Sequence, residues 1–317
     1  MNDLSKNSVT WLEVGEEAAG QRLDNFLLHY AKGVPKSHIY RIVRSGEVRV
    51  NRGRVDVAYR LQMGDRLRMP PLRIAARPAR PVAPAREFAI VYEDEALLVV
   101  DKPAGVAVHG GSGVDFGVIE QLRRARPQAR FLELAHRLDR ETSGLLVVAK
   151  KRAALVRLHD MFREGVIVKH YLALVQGVWR NALQHVRLPL LKQETADGER
   201  RVSVDPAGKP AHSIVRRVTR WENFSLLDVE LKTGRTHQIR VHLTHLGFPL
   251  AGDDKYGDFA LNRGLQKVGL KRMFLHAAEL RLPHPLSNAP LTLTAPLPDE
   301  LRAFLARLDQ HEQRKDA

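Results

Sequence analysis

Residues 132–150 read Leu132-Glu133-Leu134-Ala135-His136-Arg137-Leu138-Asp139-Arg140-Glu141-Thr142-Ser143-Gly144-Leu145-Leu146-Val147-Val148-Ala149-Lys150. An apolar approach enters a polar loop, and the apolar run Leu145–Ala149 leaves it, a pattern that predicts strand, loop, strand. Such a loop sits at the edge of a rigid scaffold, where chemistry is usually held. Asp139 stands at its centre between Arg137 and Arg140. Two cations beside one carboxylate favour its charged form, which suits a nucleophile or an electrostatic stabiliser rather than a proton donor. A structural ion pair closing the loop is the competing reading, since structural networks perturb carboxylates too.

Working outward, the chain has 317 residues, enough for two domains and a sizeable core. It is 44% hydrophobic and 27% charged, an ordinary globular composition. No apolar run reaches the ~20 residues of a membrane span, and the polar N-terminus lacks a signal-peptide core. With no cysteine, disulfides and thiolate metal sites are excluded. These features point to a cytoplasmic protein without membrane association.

The net charge is +15, unevenly spread. Residues 20–86 hold 15 Lys/Arg against 4 Asp/Glu. A basic excess in one small module is the electrostatic footprint of a polyanion partner. That module lacks a long cationic amphipathic helix, so nucleic acid is favoured over an anionic membrane.

Within it, Leu23, Phe26, Leu27 and Tyr30 recur at helical spacing until Gly33. Pro35 starts a second helix carrying Ile39, Ile42 and Val43 that stops near Gly46. Strands are expected over Glu47–Val50 and Arg54–Tyr59 around an Asn51-Arg52-Gly53 turn, with a last one at Arg66–Met69 after Gly64-Asp65. Residues 1–19 form an N-terminal segment, 20–69 the basic module, and 70–86 a Pro/Ala/Arg-rich linker that denies helix and sheet. Residues 87–317 form a second domain. It opens with strands at Phe88–Tyr92 and Ala96–Val100. A helix at Lys151–Phe162, a strand at Ile167–Val175, several strands over 185–230 and a C-terminal helix carrying Leu301, Phe304, Leu305 and Leu308 follow.

Candidate chemistry beyond Asp139 is sparse. His109-Gly110-Gly111-Ser112-Gly113 is glycine-rich, but neither a Gly-Lys-Ser/Thr nor a Rossmann spacing accompanies it. His237, His242 and His245 cluster in sequence without a His-Glu-x-x-His pattern or a cysteine, so a metal is not expected. Asp139 with Glu141 as a glycosidase pair requires opposed carboxylates roughly 5 to 9 Å apart. Positions i and i+2 of one loop give no evidence of that.

The run His136-Arg137-Leu138-Asp139-Arg140-Glu141-Thr142-Ser143-Gly144 resembles the catalytic signature of RNA pseudouridine synthases, in the form of the branch that includes ribosomal large-subunit enzymes. Gln21-Arg22-Leu23-Asp24, Ser37-His38-Ile39-Tyr40-Arg41, Gly46–Asn51 and Gly64-Asp65 resemble an S4 RNA-binding module. The resemblance implies an α+β chain: a small S4-like domain linked to a catalytic domain with a mixed, largely antiparallel sheet. It makes Asp139 the catalytic residue and Tyr171, in Lys169-His170-Tyr171, the aromatic that stacks on the target base, also a candidate base for the last proton transfer. It places Arg235, in Lys232-Thr233-Gly234-Arg235-Thr236-His237-Gln238-Ile239-Arg240-Val241-His242, as the arginine paired with Asp139. Arg137 becomes the wedge into the vacated stack and Leu275 the floor beneath uracil. Lys102-Pro103-Ala104-Gly105 reads as scaffold beside the catalytic loop. Lys36, Arg41, Arg44, Arg49, Arg52 and Arg54 would track phosphates.

The implied reaction isomerises specific uridines of 23S ribosomal RNA, as a monomer, in an assembling large subunit. Being an isomerisation, it requires no cofactor and no metal. Other large-subunit or transfer-RNA uridines, or a non-catalytic rRNA-binding assembly role, are the alternatives.

Overall fold

The protein is described by a computed structural model covering residues 8–31, 33–72, 82–111, 113–194 and 200–316. The chain divides into two compact units, Met1–Val82 and Ala83–Ala317. The division falls inside the 70–86 stretch, of which residues 73–81 lie outside the described residues.

The first unit holds β1 (Thr10–Glu13), α1 (Leu23–Tyr30), α2 (Lys36–Arg44), β2 (Arg49–Val50) and β3 (Arg66–Met69). Its sheet runs β1-β3-β2, antiparallel throughout. The segment before residue 20 is therefore part of this unit, because β1 pairs with β3 along its whole length. Leu23, Leu27, Ile39, Ile42, Val48, Leu61 and Leu67 are fully buried between the helices and the sheet. The expected strand at Arg54–Tyr59 is absent, and the reason is local. The carbonyls of Tyr59 and Val57 accept the backbone N–H groups of Leu23 and Asp24, so this stretch caps the start of α1. Asp24 then accepts both Arg22 nitrogens and the Tyr40 hydroxyl, and the Arg22 hydrogen bond holds it down at about 2.

The second unit begins with β4 (Ala89–Glu93), β5 (Leu97–Lys102), α3 (Val118–Ala125), β6 (Glu133–Leu134), β7 (Ser143–Ala149), α4 (Arg152–Glu164) and β8 (Val168–Gln176). It continues through β9 (Leu183–Val186), β10 (Leu190–Glu194), β11 (Arg200–Val204), β12 (Ser213–Arg220) and β13 (Phe224–Leu231). It ends with α5 (Gln238–His245), α6 (Phe259–Lys267), β14 (Leu275–Pro283), β15 (Pro290–Thr294) and α7 (Asp299–Asp316). The main sheet has the order β4-β5-β7-β14-β8-β13-β12-β9, with β15 added to β14 and β6 to β7. All its pairings are antiparallel except β14 with β7. β10 and β11 form a separate hairpin whose tip, residues 195–199, lies outside the described residues.

Both faces of this sheet are covered, which explains why β5 and β7 read as continuous apolar runs rather than alternating ones. Leu146 and Val148 face the cluster containing α3 and α5, while Leu145 and Val147 face the one containing α4. Gly144 sits at φ 108° where β7 meets β14, and a Cβ there would strike the Ala277 carbonyl oxygen. That close backbone approach is why the motif ends in glycine.

Candidate active site

The loop between β6 and β7 is held from beneath. Val147 N–H donates to His136 Nε2 at 3.1 Å, and burial pushes that imidazole down to about 4, so it stays a neutral acceptor. The buried Lys102 ammonium donates to the carbonyls of Pro103, Val106 and Arg140, and Gly105 N–H also donates to Arg140. Burial pushes this lysine down to about 7, while three carbonyl acceptors work to keep it charged. The Lys-Pro-Ala-Gly turn is thus a clamp on the Asp139 loop. Arg272 fastens the other end, donating to Ser143 Oγ at 2.8 Å and to the Leu275 carbonyl at 3.2 Å.

Asp139 remains partly open, its side chain 28% exposed. Its neighbours in sequence do not hold it. Arg137 and Arg140 are exposed, and Arg140 turns to Glu141 at 2.7 Å. The guanidinium on Asp139 is that of Arg240, whose Nη1 lies 3.3 Å from Oδ2. Arg240 projects from α5 and is buried; its Nε and Nη2 donate to the two oxygens of fully buried Asp253 at 2.8 and 2.7 Å. Burial works against this charge, but the Asp253 hydrogen bonds outweigh it and hold Arg240 above its ordinary value.

The expected partner, Arg235, does not make this contact. It precedes α5 in an exposed turn, where its Nε donates to the Pro210 carbonyl at 3.1 Å and its backbone N–H donates to Gln238. The two arginines lie in one motif five residues apart. The helix separates them: Arg240 is inside its buried face, Arg235 before its start. Ile239, Val241 and Leu243 alternate at strand rather than helical spacing, so nothing in the local pattern singled out Arg240 over Arg235.

A cleft of about 830 Å³ collects the remaining side chains, lined by Arg137, Asp139, Tyr171, Arg235, His237, Arg240 and Leu275 among others. That volume falls within the range of ligand pockets. Tyr171 on β8 is 8% exposed, and burial together with the Asp139 charge raises its hydroxyl above the ordinary tyrosine value. Leu275, the first residue of β14, is 4% exposed. Glu141 lies outside this cleft; it shares a smaller pocket with Asp139, and its carboxylate is paired with Arg140 at 2.7 Å.

His237, read earlier only as part of a histidine cluster, stands with Nε2 3.8 Å from Asp139 Oδ2. His242 is instead buried between Ser213 Oγ and the Leu188 carbonyl. In the first unit, Lys36, Arg41, Arg44, Arg49, Arg52 and Arg54 are all exposed, and a groove of about 750 Å³ runs along α2 between Lys36 and Ser45.

A family model described as RNA pseudouridylate synthase matches residues 96–245, and one described as S4 domain matches residues 21–67. Ribosomal large subunit pseudouridine synthase C of Haemophilus ducreyi is 50% identical over 307 residues, 95% of this chain and 96% of that protein. The protein of the same description from Escherichia coli (strain K12) is 49% identical over 309 residues, 95% of this chain and 97% of that one. Among solved structures, human RNA Pseudouridylate Synthase Domain Containing 4 superposes with a TM-score of 0.58 at 28% identity, covering 70% of this chain and 93% of that one.

Proposed function

Since the chain belongs to the RNA pseudouridylate synthase family, we propose that it converts uridines of large-subunit ribosomal RNA to pseudouridine with Asp139 as the catalytic carboxylate. The observation that carries this is the pairing of Asp139 with Arg240 at the wall of a cleft shared with Tyr171 and Leu275. The substrate class comes from the printed description of relatives that are about half identical across nearly the whole chain, read together with the S4 module.

The reaction breaks the uracil N1–C1′ bond, turns the base, and joins C5 to C1′. A carboxylate that must act on the sugar or base has to be charged, oriented and partly open. Arg240 meets these needs by gripping only Oδ2 while its other nitrogens are committed to Asp253. The target must leave its stack to reach such a cleft, and that costs a few kcal/mol of unstacking. Tyr171 offers a ring on which the base can stack, Leu275 an apolar floor, and exposed Arg137 a cation able to enter the gap left in the RNA. The raised hydroxyl of Tyr171 makes a phenolate costly, so the ring surface is the role favoured for it over that of a base. The exposed cations of α2 and the following turn supply the phosphate-tracking surface expected of an S4 module. The reading takes the chain as a cytoplasmic monomer acting on 23S rRNA during subunit assembly; among the described residues no helix is long and apolar enough to cross a membrane.

The test uses ribosomal RNA tritiated at uridine C5. The protein should release tritium without free uracil, and Asp139→Asn, which removes charge but keeps shape, should release none while binding the RNA as before. Wild-type turnover by that variant removes Asp139 from the mechanism; free uracil would make the enzyme a hydrolase; no release by the wild-type protein leaves the assembly-factor reading.

A further inference from the structure

An imidazole and a phenol stand against the Asp139–Arg240 pair without a part in the account above. His237 caps the start of α5 at φ 53°, in the left-handed region that is uncommon outside glycine, although histidine is, with asparagine and aspartate, among the residues enriched there. Strain of this kind persists where the surroundings over-determine a residue, and such residues gather at functional sites. Its ring is held at one nitrogen, with the other turned toward Asp139 beyond hydrogen-bond reach. Nδ1 lies 2.8 Å from the Tyr256 hydroxyl, and Nε2 lies 3.8 Å from Asp139 Oδ2.

Tyr256 has two further attachments of its own. Its hydroxyl oxygen accepts the backbone N–H of Val202 on β11 at 3.1 Å, and its ring lies beneath the Arg240 guanidinium at 5.0 Å. With the oxygen already accepting from Val202, the hydroxyl hydrogen is the one available to His237 Nδ1. The opposite assignment leaves that hydrogen without an acceptor among the described residues. The neutral ring therefore carries its proton on Nε2, the nitrogen nearer Asp139. Burial lowers the imidazole's affinity for a second proton; Asp139 from the loop and Asp253 oppose this, and Arg240 from α5 and Lys255 reinforce it.

Resting on the pseudouridine synthase reading, we propose that His237 is a further catalytic residue, a neutral Nε2–H donor aimed at a carbonyl oxygen of the reacting uracil, with Tyr256 as the residue that positions it. When N1–C1′ breaks, the electron pair stays on the base, spread over N1, O2 and O4. The same pair, drawn through C5, forms the C5–C1′ bond; the C5 proton leaves and N1 takes one up, so the reaction is balanced without an oxidant or reductant. A fixed donor in a partly buried site binds the charged base more strongly than the neutral uridine, and that difference accelerates the step. Its position beside the Asp139 oxygen puts the donor on the side of the base that leaves C1′.

The experiment measures kcat, KM and the pH profile of tritium release for the full chain. His237→Asn accepts the left-handed backbone, so its melting temperature should match or exceed that of the wild-type protein, while its shorter side chain withdraws the donor. Its kcat should fall roughly a hundredfold with KM within about twofold. His237→Gln, whose amide nitrogen reaches about as far as Nε2, should recover at least tenfold of that loss. Tyr256→Phe keeps the ring under Arg240 but removes the donor to Nδ1; protonation of His237 becomes easier, and the acid limb of kcat should move to higher pH. Wild-type kcat in His237→Asn, a loss confined to KM, or an unmoved acid limb in Tyr256→Phe overturns the proposal. If the wild-type protein releases no tritium, the parent reading falls and this one with it; if it does and His237→Asn matches it, only this one falls.

Discussion

Replacing Asp253 by asparagine tests how Arg240 is held. Asp253 is fully buried; its two oxygens take Nε and Nη2 of Arg240, and Oδ1 also accepts the backbone N–H groups of Lys255 and Tyr256 at 2.9 and 3.0 Å. Asp253→Asn keeps the shape and one oxygen but turns an amide N–H toward a guanidinium N–H and removes the countercharge. Breaking a buried pair from one side costs about 3–5 kcal/mol, and the low end applies because the backbone contacts can survive. About 3 kcal/mol corresponds to a fall in Tm of roughly 6–12 °C for a unit of this size. The remaining countercharges on Arg240 are Asp139 at 3.3 Å and exposed Asp254 at 3.8 Å. The guanidinium should therefore swing onto Asp139 and tie up the carboxylate, lowering kcat at least tenfold.

The sign with pH follows. Although burial opposes it, Arg240 holds the folded-state Asp253 carboxyl below its ordinary value. Its contribution is therefore present above the unfolded carboxylate pKa of ~3.9 and lost as pH falls through the folded value. The melting curves of wild type and Asp253→Asn should converge in acid. Calorimetry between pH 7 and pH 3, with tritium release at pH 7, measures both effects. A variant melting within about 2 °C of wild type at pH 7 with unchanged kcat would refute the claim that Asp253 fixes Arg240.

Three further outcomes are expected. Arg240→Ala should lose turnover, whereas Arg235→Ala should retain it within about tenfold, because its side chain bonds a loop carbonyl in place of Asp139; equal losses in a steady-state assay would contradict this. Half-buried His136 and fully buried His276 are each pushed down to about 4 from an ordinary 6.5. Folded values below unfolded ones mean stability is present above pH 6.5 and lost as pH falls toward 4, by up to about 3 kcal/mol for each histidine. Urea titrations at pH 7 and pH 4.5 measure this, and Phe at either position should flatten the slope. Arg41→Glu with Arg44→Glu reverses two exposed charges beside the α2 groove and should weaken rRNA binding and reduce the salt slope by about 2 units; an unchanged slope would remove that face from the interface.

Much of the architecture was legible because it is written in local chemistry. Periodicity marked α1 and α2, with Gly33, Pro35 and Gly46 near their ends, the helix expected at Lys151–Phe162 is α4, and the continuous apolar runs at Leu97–Val100 and Leu145–Ala149 became strands buried on both faces. What the sequence did not display was where loop backbone spends its hydrogen bonds. Arg54–Tyr59 alternates like a strand, yet its carbonyls go to the start of α1, a debt visible only once the helix is in place. β1 was likewise hidden, since four residues acquire strand character from pairing with β3 more than 50 positions away.

The site repeats this pattern at closer range. Of the nine residues from His136 to Gly144, four build the loop: His136 takes Val147 N–H, Arg140 lends its carbonyl to Lys102, Ser143 meets His276 and Arg272, and Gly144 lets β14 approach. Asp139 could be singled out because a carboxylate between two arginines is chemically conspicuous, but those two arginines are not its partners. Charge proximity along a chain predicts little when successive loop side chains point in different directions. The ion pair joins residues 139 and 240, and 240 is fixed by 253, so the electrostatics of the Asp139 carboxylate depend on α5 docking against the segment after Leu250. The carboxylate is therefore set by tertiary packing as much as by its motif. A variant that loosens α5 without touching the 136–144 loop should lose turnover before it loses the fold.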